Sequence, residues 1–66
     1  MTGFSERDEK VIAAMAEYDA AAIGTPAQTR AGVRLEQAAA GISERDYWRI
    51  KEEYERRAQA AGKETR

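Results

Sequence analysis

The sequence predicts an all-α fold, a small three-helix bundle or bent helical triplet with short loops. Three observations predict it. Helix start and stop signals recur at Phe4-Ser5, Gly24-Thr25-Pro26 and Gly41-Ile42-Ser43. Between them, apolar residues return with the helical period of about 3.6 residues. The chain also lacks the apolar–polar alternation and β-branched enrichment of a strand. The expected helices cover about 6–23, 26–40 and 44–61 of a single domain spanning 1–66, with 62–66 a frayed polar tail and Met1–Phe4 a loose lead-in.

The first helix takes Ser5 as its cap and Gly24 as its stop. Val11, Met15, Tyr18 and Ala22 recur at i, i+4, i+7 and i+11 as one apolar stripe, which Ile12, Ala16 and Ile23 widen. This helix therefore has more than one apolar flank, as expected of the central element or of one that offers a face to a partner. The second helix opens on Thr25-Pro26-Ala27-Gln28. Thr25 can cap, Pro26 fits the first helical position where its missing N–H costs nothing, and Gln28 completes a capping box. Its inner stripe, Ala27, Ala31, Leu35 and Ala38, is mostly small, so it can lie close to its neighbours. Gly32 in its middle costs about 1 kcal/mol relative to Ala, so either a neighbouring backbone packs close there, the favoured reading, or the helix is weak at that point.

The third helix starts at the stretch that organises the chain. Gly41 ends the preceding helix, Ser43 can accept from the Asp46 amide, and the shorter Asp46 side chain can reach back to the Ser43 amide. Ile42 and Tyr47 have the spacing of a hydrophobic staple. Tyr47, Ile50, Tyr54, Ala58 and Ala61 share the inner face. Arg49–Glu53, Lys51–Glu55, Glu52–Arg56 and Glu53–Arg57 are i, i+4 pairs on the remaining surface. Ser43-Glu44-Arg45-Asp46 repeats Ser5-Glu6-Arg7-Asp8, each after an apolar residue, and Ile12/Ile50, Glu17/Glu55 and Gly24/Gly62 match at the same offset. This reads as one effective cap used twice, since a solenoid needs three or more units.

Composition narrows the function classes. A chain of 66 residues is one domain with marginal burial. Half of its apolar residues are alanine, so the expected core is thin. With no Cys and no His there is no disulfide and no zinc site. A net charge of −1 argues against a general polyanion binder, although residues 27–66 are mildly basic. No apolar run approaches the roughly 20 residues of a membrane span and no leader pattern is present, so a cytoplasmic protein without a membrane partner is expected. The abundance of Ala, Arg, Glu and Gly fits a GC-rich bacterium or its phage.

Catalysis needs a base near its operating pH with a nucleophile or metal beside it. Without His or Cys, only carboxylates, three lysines and tyrosines remain. The acids, Asp19 excepted, fall in caps or on solvated faces, and Glu52, Glu53 and Glu55 each have a base one turn away. No Gly-rich phosphate loop or calcium-ligand spacing occurs. No catalytic, cofactor or metal site is expected, and the chain is expected not to be an enzyme.

Trp48 is the informative residue. It lies about 160° around the third helix from Ile50, among Arg45, Glu52, Glu55 and Gln59. A Trp on the charged side of a helix either packs its ring edge-on under the first or second helix, stacks on a neighbouring Arg, or anchors an interface, where Trp, Tyr and Arg dominate. The candidate partner-binding patch is Trp48, Arg45, Arg49, Tyr47 and Glu52. The expected function is a non-catalytic protein-interaction module, a regulator or inhibitor that occludes a larger protein or self-associates, for example as a homodimer.

Nucleic acid is the alternative partner. Leu35-Glu36-Gln37-Ala38-Ala39-Ala40-Gly41-Ile42-Ser43 resembles the middle of a bacterial helix-turn-helix. The resemblance implies a third helix in the major groove, Arg45 and Arg49 at bases, and Arg30 or Arg34 at phosphates. Two departures disfavour it: Gln37 stands where a small residue is usual, and Glu44 and Asp46 put repulsion at the first turn of the would-be recognition helix. Gly41, Ile42, Ser43, Asp46, Tyr47 and Lys51 also resemble the short C-terminal helical domain of some bacterial membrane and surface proteins. That resemblance implies self-association without catalysis, and it leaves the first helix without a counterpart.

Overall fold

The computed structural model describes residues 3–64, with side chains from 3 to 61. The chain forms α1 (Glu6–Ala20), α2 (Pro26–Ala39) and α3 (Glu44–Glu64). Among the described residues there is no strand. Each helix starts where its first turn of free amides finds a side-chain acceptor. The Ser5 Oγ accepts from the Asp8 amide at 3.2 Å and the Asp8 carboxylate accepts from the Ser5 amide at 3.3 Å, a complete capping box. Thr25 Oγ1 accepts from the Gln28 amide at 3.3 Å. Gln28 does not close the expected box on Thr25; its Oε1 accepts from the Gly24 amide at 3.0 Å, one residue upstream. Ser43 accepts from the Asp46 amide at 3.2 Å, while Asp46 turns towards Arg49 Nε at 3.7 Å and makes no return bond to Ser43.

Both interhelical corners use one turn geometry. The Ala22 carbonyl accepts from the Thr25 amide at 3.3 Å and from its hydroxyl at 2.6 Å, and Gly24 supplies φ +81°. The Ala39 carbonyl accepts from the Ile42 amide at 3.1 Å. Ala40 at φ −59°, ψ 131° followed by Gly41 at φ +83° makes this a type II turn. The first corner corrects the expected end of α1 at Ile23. The helix stops at Ala20 because Ala21 is extended (ψ 141°), and Gly24 shapes the turn after the helix rather than ending it. Ile23 is left at the turn tip, 91% exposed, and Ala22 is exposed as well. α2 ends one residue early, at Ala39. The tail expected to fray from Gly62 continues as helix to Glu64, and Thr65 and Arg66 lie outside the described residues, as do Met1 and Thr2 of the expected lead-in.

α1 is the central element: α2 and α3 each pack on it and barely touch one another. The core is Val11, Ile12 and Met15 of α1 with Ile50 of α3, of which Val11 and Ile50 are fully buried. Phe4, Leu35, Ala38, Ile42, Tyr47 and Tyr54 close over it, so both halves of the proposed Ile42–Tyr47 staple lie against the core. On α2, Ala31 is buried but Ala27 is exposed. The bent triplet is flat, 38 × 36 × 17 Å. Its radius of gyration of 12.5 Å exceeds the roughly 11 Å of a compact chain of this length.

Three polar ties frame the α1–α3 crossing. Asp8, 4% exposed, receives Arg49 Nη2 at 3.2 Å. Glu9 receives both terminal nitrogens of Arg57 at 2.8 and 2.9 Å. Asp19 accepts from the Tyr54 hydroxyl at 2.6 Å. Residues 49, 57 and 54 of α3 thus meet residues 8, 9 and 19 of α1, an order that fits helices crossing rather than running side by side. The α1–α2 side has the exposed Arg34–Glu17 pair at 2.6 Å and a close approach at Gly32. A Cβ on Gly32 would stand 3.2 Å from the Tyr18 ring, so the close neighbour expected there is an aromatic side chain and not a backbone.

Burial would raise the Asp8 pKa, but the Ser5 amide and the Arg49 guanidinium outweigh it and hold the carboxyl below its usual 3.8. Hydrogen bonds from Arg57 likewise lower Glu9 and Glu53. A folded-state pKa below the unfolded one stabilises above the unfolded value and is lost as pH falls through the folded one. The melting temperature should therefore be flat from neutral pH down to about 5 and fall steeply below about 4. Asp8→Ala should cost about 1–2 kcal/mol in urea unfolding, while Asp46→Ala in the same Ser-Glu-Arg-Asp context should cost about 0.5 kcal/mol or less. Equal losses would mean that Asp8 contributes no more than an ordinary first-turn acid. Gly32→Ala should stabilise by about 0.5–1 kcal/mol, because the half-exposed Tyr18 can yield a few tenths of an ångström to the new methyl; a loss of stability would show Tyr18 locked in place.

Candidate functional site

Because α2 and α3 scarcely meet, the wedge between them over α1 stays open. It forms a groove of about 700 Å³. Met15 and Leu35 give it an apolar floor, and all three tyrosines of the chain, Tyr18, Tyr47 and Tyr54, line it. The alanines of the inner α2 face bring that helix close to α1, yet they are too short to fill the space towards α3. Tyrosine suits this border, with an apolar ring against the floor and a hydroxyl in water or on a polar partner.

The charged residues of the groove are Asp19, Lys51 and Glu55. Asp19 is held by the Tyr54 hydroxyl, and that bond, aided by burial and the negative charge of Asp19, pushes the Tyr54 pKa up to about 12. The Lys51 ammonium stands 4.9 Å from the centre of the Trp48 ring. Among the described residues Glu55 has no ion-pair partner, and the expected Lys51–Glu55 pair does not form.

Trp48 stands on the outer lip, 53% exposed, its ring edge-on to Tyr47 with centroids 6.1 Å apart. It is thus not a core residue, and a lysine, rather than an arginine, stacks on it. Tyr47 is half-buried and joins Trp48 to the groove. Arg45 and Glu52 are exposed, and neither makes an ion pair among the described residues. Arg49 is exposed too, and it is already engaged. It binds Asp8 and Asp46, donates to the Gly3 carbonyl at 3.3 Å, and sits 4.9 Å over the Phe4 ring. Of the surface pairs read from the sequence, Glu53–Arg57 forms at 2.7 Å, and Glu53 also takes Arg56, the residue expected to pair with Glu52.

Sequence spacing puts Tyr18 and Tyr54 on core stripes and sets Asp19 apart from the acids of caps and solvated faces, but it does not show that the three converge. One signal was available: each tyrosine sits on an apolar stripe as an amphipathic residue, and three such residues in a thin core point to a rim. No group of His, Cys, Asp or Glu with metal-site geometry occurs among the described residues, and no helix is long and apolar enough to cross a membrane.

No protein-family model, curated protein or solved structure matches this chain.

Tyr54 should ionise at about 12, followed by phenolate absorbance, and Asp19→Asn should bring it back towards 10.0. A raised tyrosine pKa stabilises below the unfolded value and the contribution is lost as pH rises through the folded one, so Asp19→Asn should also flatten alkaline unfolding. An unchanged Tyr54 titration in Asp19→Ala, which removes the acceptor, would exclude that hydrogen bond in solution.

Proposed function

We propose that this chain is a non-catalytic protein-interaction module, a regulator or inhibitor that covers part of a larger protein by docking it on the aromatic groove and the Trp48 lip. The observation that carries this reading is a half-exposed Trp beside a groove lined by every tyrosine in the chain. Aromatic side chains bury large area at little entropic cost, and Trp and Tyr concentrate binding energy at interfaces. The patch read from the sequence contributes Trp48, Tyr47, Arg45 and Glu52 to this surface. Arg49, also exposed, fixes α3 on α1 through Asp8. The same engagement of Arg49 weakens the nucleic-acid alternative, which needs it at a base edge.

Trp48→Ala is the direct test. The melting temperature should change little, since the ring is half in water, while capture of the native partner should fall by at least about tenfold, as expected of an interface anchor. Capture should depend only weakly on salt, in contrast to the steep loss of a phosphate-binding protein. Light scattering over a concentration series tells whether the partner is a second copy. Unfolding of Trp48→Ala, or equal capture by both forms, would defeat the reading.

A further inference from the structure

We infer that the groove receives a basic side chain, the guanidinium or ammonium end of an arginine or lysine carried by the partner protein. The inference rests on the docking reading above and adds the chemistry of the partner's anchor. A groove lined only by Met15 and Leu35 would favour an apolar plug. This one instead presents the faces or edges of three tyrosines together with two carboxylates, Asp19 and Glu55. Aromatic faces attract cations through the ring quadrupole, and the attraction strengthens as the cation sheds water. A long basic side chain satisfies both features of the groove, laying its methylenes along the floor and its charge at the acids.

The charges of the groove are arranged for such a guest. Neither Asp19 nor Glu55 has a cationic partner among the described residues. The one base in the lining, Lys51, has its ammonium over the Trp48 ring. Asp19 is held in place by the Tyr54 hydroxyl at 2.6 Å, so it is set before a guest arrives and keeps acceptor capacity to spare. It also lies in the last turn of α1, a turn with no basic residue. A helix C-terminus carries partial negative charge and ordinarily attracts a base. At this end of α1 an acid stands instead, and an incoming cation would supply what the helix lacks.

The test uses the full chain and three small probes: Nα-acetyl-arginine amide, Nα-acetyl-lysine amide and the neutral near-isostere Nα-acetyl-citrulline amide. Tyrosine ring signals are followed by NMR as each probe is raised to about 100 mM, a range suited to millimolar affinity. The arginine and lysine probes should shift the rings of Tyr18, Tyr47 and Tyr54 saturably, with citrulline at least about fivefold weaker. Asp19→Asn, which keeps an acceptor for Tyr54, and Glu55→Gln, which breaks no contact of its own, should together abolish the preference for charge. Their melting curves establish that both remain folded. Equal binding of arginine and citrulline overturns the inference, as does a preference that survives both substitutions or the absence of saturable shifts. Any of these results alongside intact, Trp48-dependent capture would leave the docking reading standing and remove only the basic anchor.

Discussion

Asp8 is the constraint on which this small fold turns. A carboxylate so nearly removed from water is tolerated only when its oxygens are met by donors. Here the donors come from two places, the Ser5 amide of its own cap and the guanidinium of Arg49 on α3. The cap of one helix is thereby also the socket of another. Arg49 completes the joint by reaching Asp46 at the start of α3, the Gly3 carbonyl and the Phe4 ring. Only a planar cation with five donors in a fixed fork can serve so many directions at once, and a lysine in its place would reach fewer of them. Val11 and Ile50 are sealed immediately beside this joint, so the polar clamp and the driest part of the core coincide in one region.

Away from that joint the molecule has little to pack with. The inner face of α2 is Ala31, Gly32, Leu35 and Ala38, which allows close approach to α1 but no reach towards α3. A bundle with bulkier residues at those positions would close the wedge and bring all three helices together. The alanine content instead yields a flat triplet whose third side is a groove, bordered by Tyr18, Tyr47 and Tyr54. The open surface is therefore a direct consequence of the same composition that makes the core thin.

Helix number, order and starts were legible in the sequence because each rests on local chemistry: Ser5, Thr25 and Ser43 accept the amides expected of them. The stop of α1 was less legible. Gly24 is a left-handed residue in either a helix terminus or a type II turn, and only the three-dimensional course of Ala21–Thr25 separates the two. The groove was not legible at all, since it depends on which pairs of helices fail to meet. Trp48 was found as an outlier because its angular position on α3 is fixed by sequence. Arg49, one residue away, was assigned to the same patch because sequence spacing carries no record of the buried acid it answers, 41 positions upstream.

The engagement of Arg49 bears on the electrostatics of the whole surface. The second half of the chain is net basic by count, yet four of its arginines are engaged in ion pairs. Arg49 serves Asp8 and Asp46, Arg57 serves Glu9 and Glu53, Arg56 serves Glu53, and Arg34 serves Glu17. Beside Arg45 and Arg56, the exposed surface of α3 carries the stripe Trp48, Glu52, Glu55 and Gln59, at i, i+4, i+7 and i+11, its two acids without an ion-pair partner among the described residues. α3 carries as many bases as acids, and the ties to α1 take Arg49 and Arg57, while Glu52 and Glu55, unpaired among the described residues, lie to either side of Trp48 on the helix surface. The partner such a face suits is defined by where the arginines point rather than by how many there are.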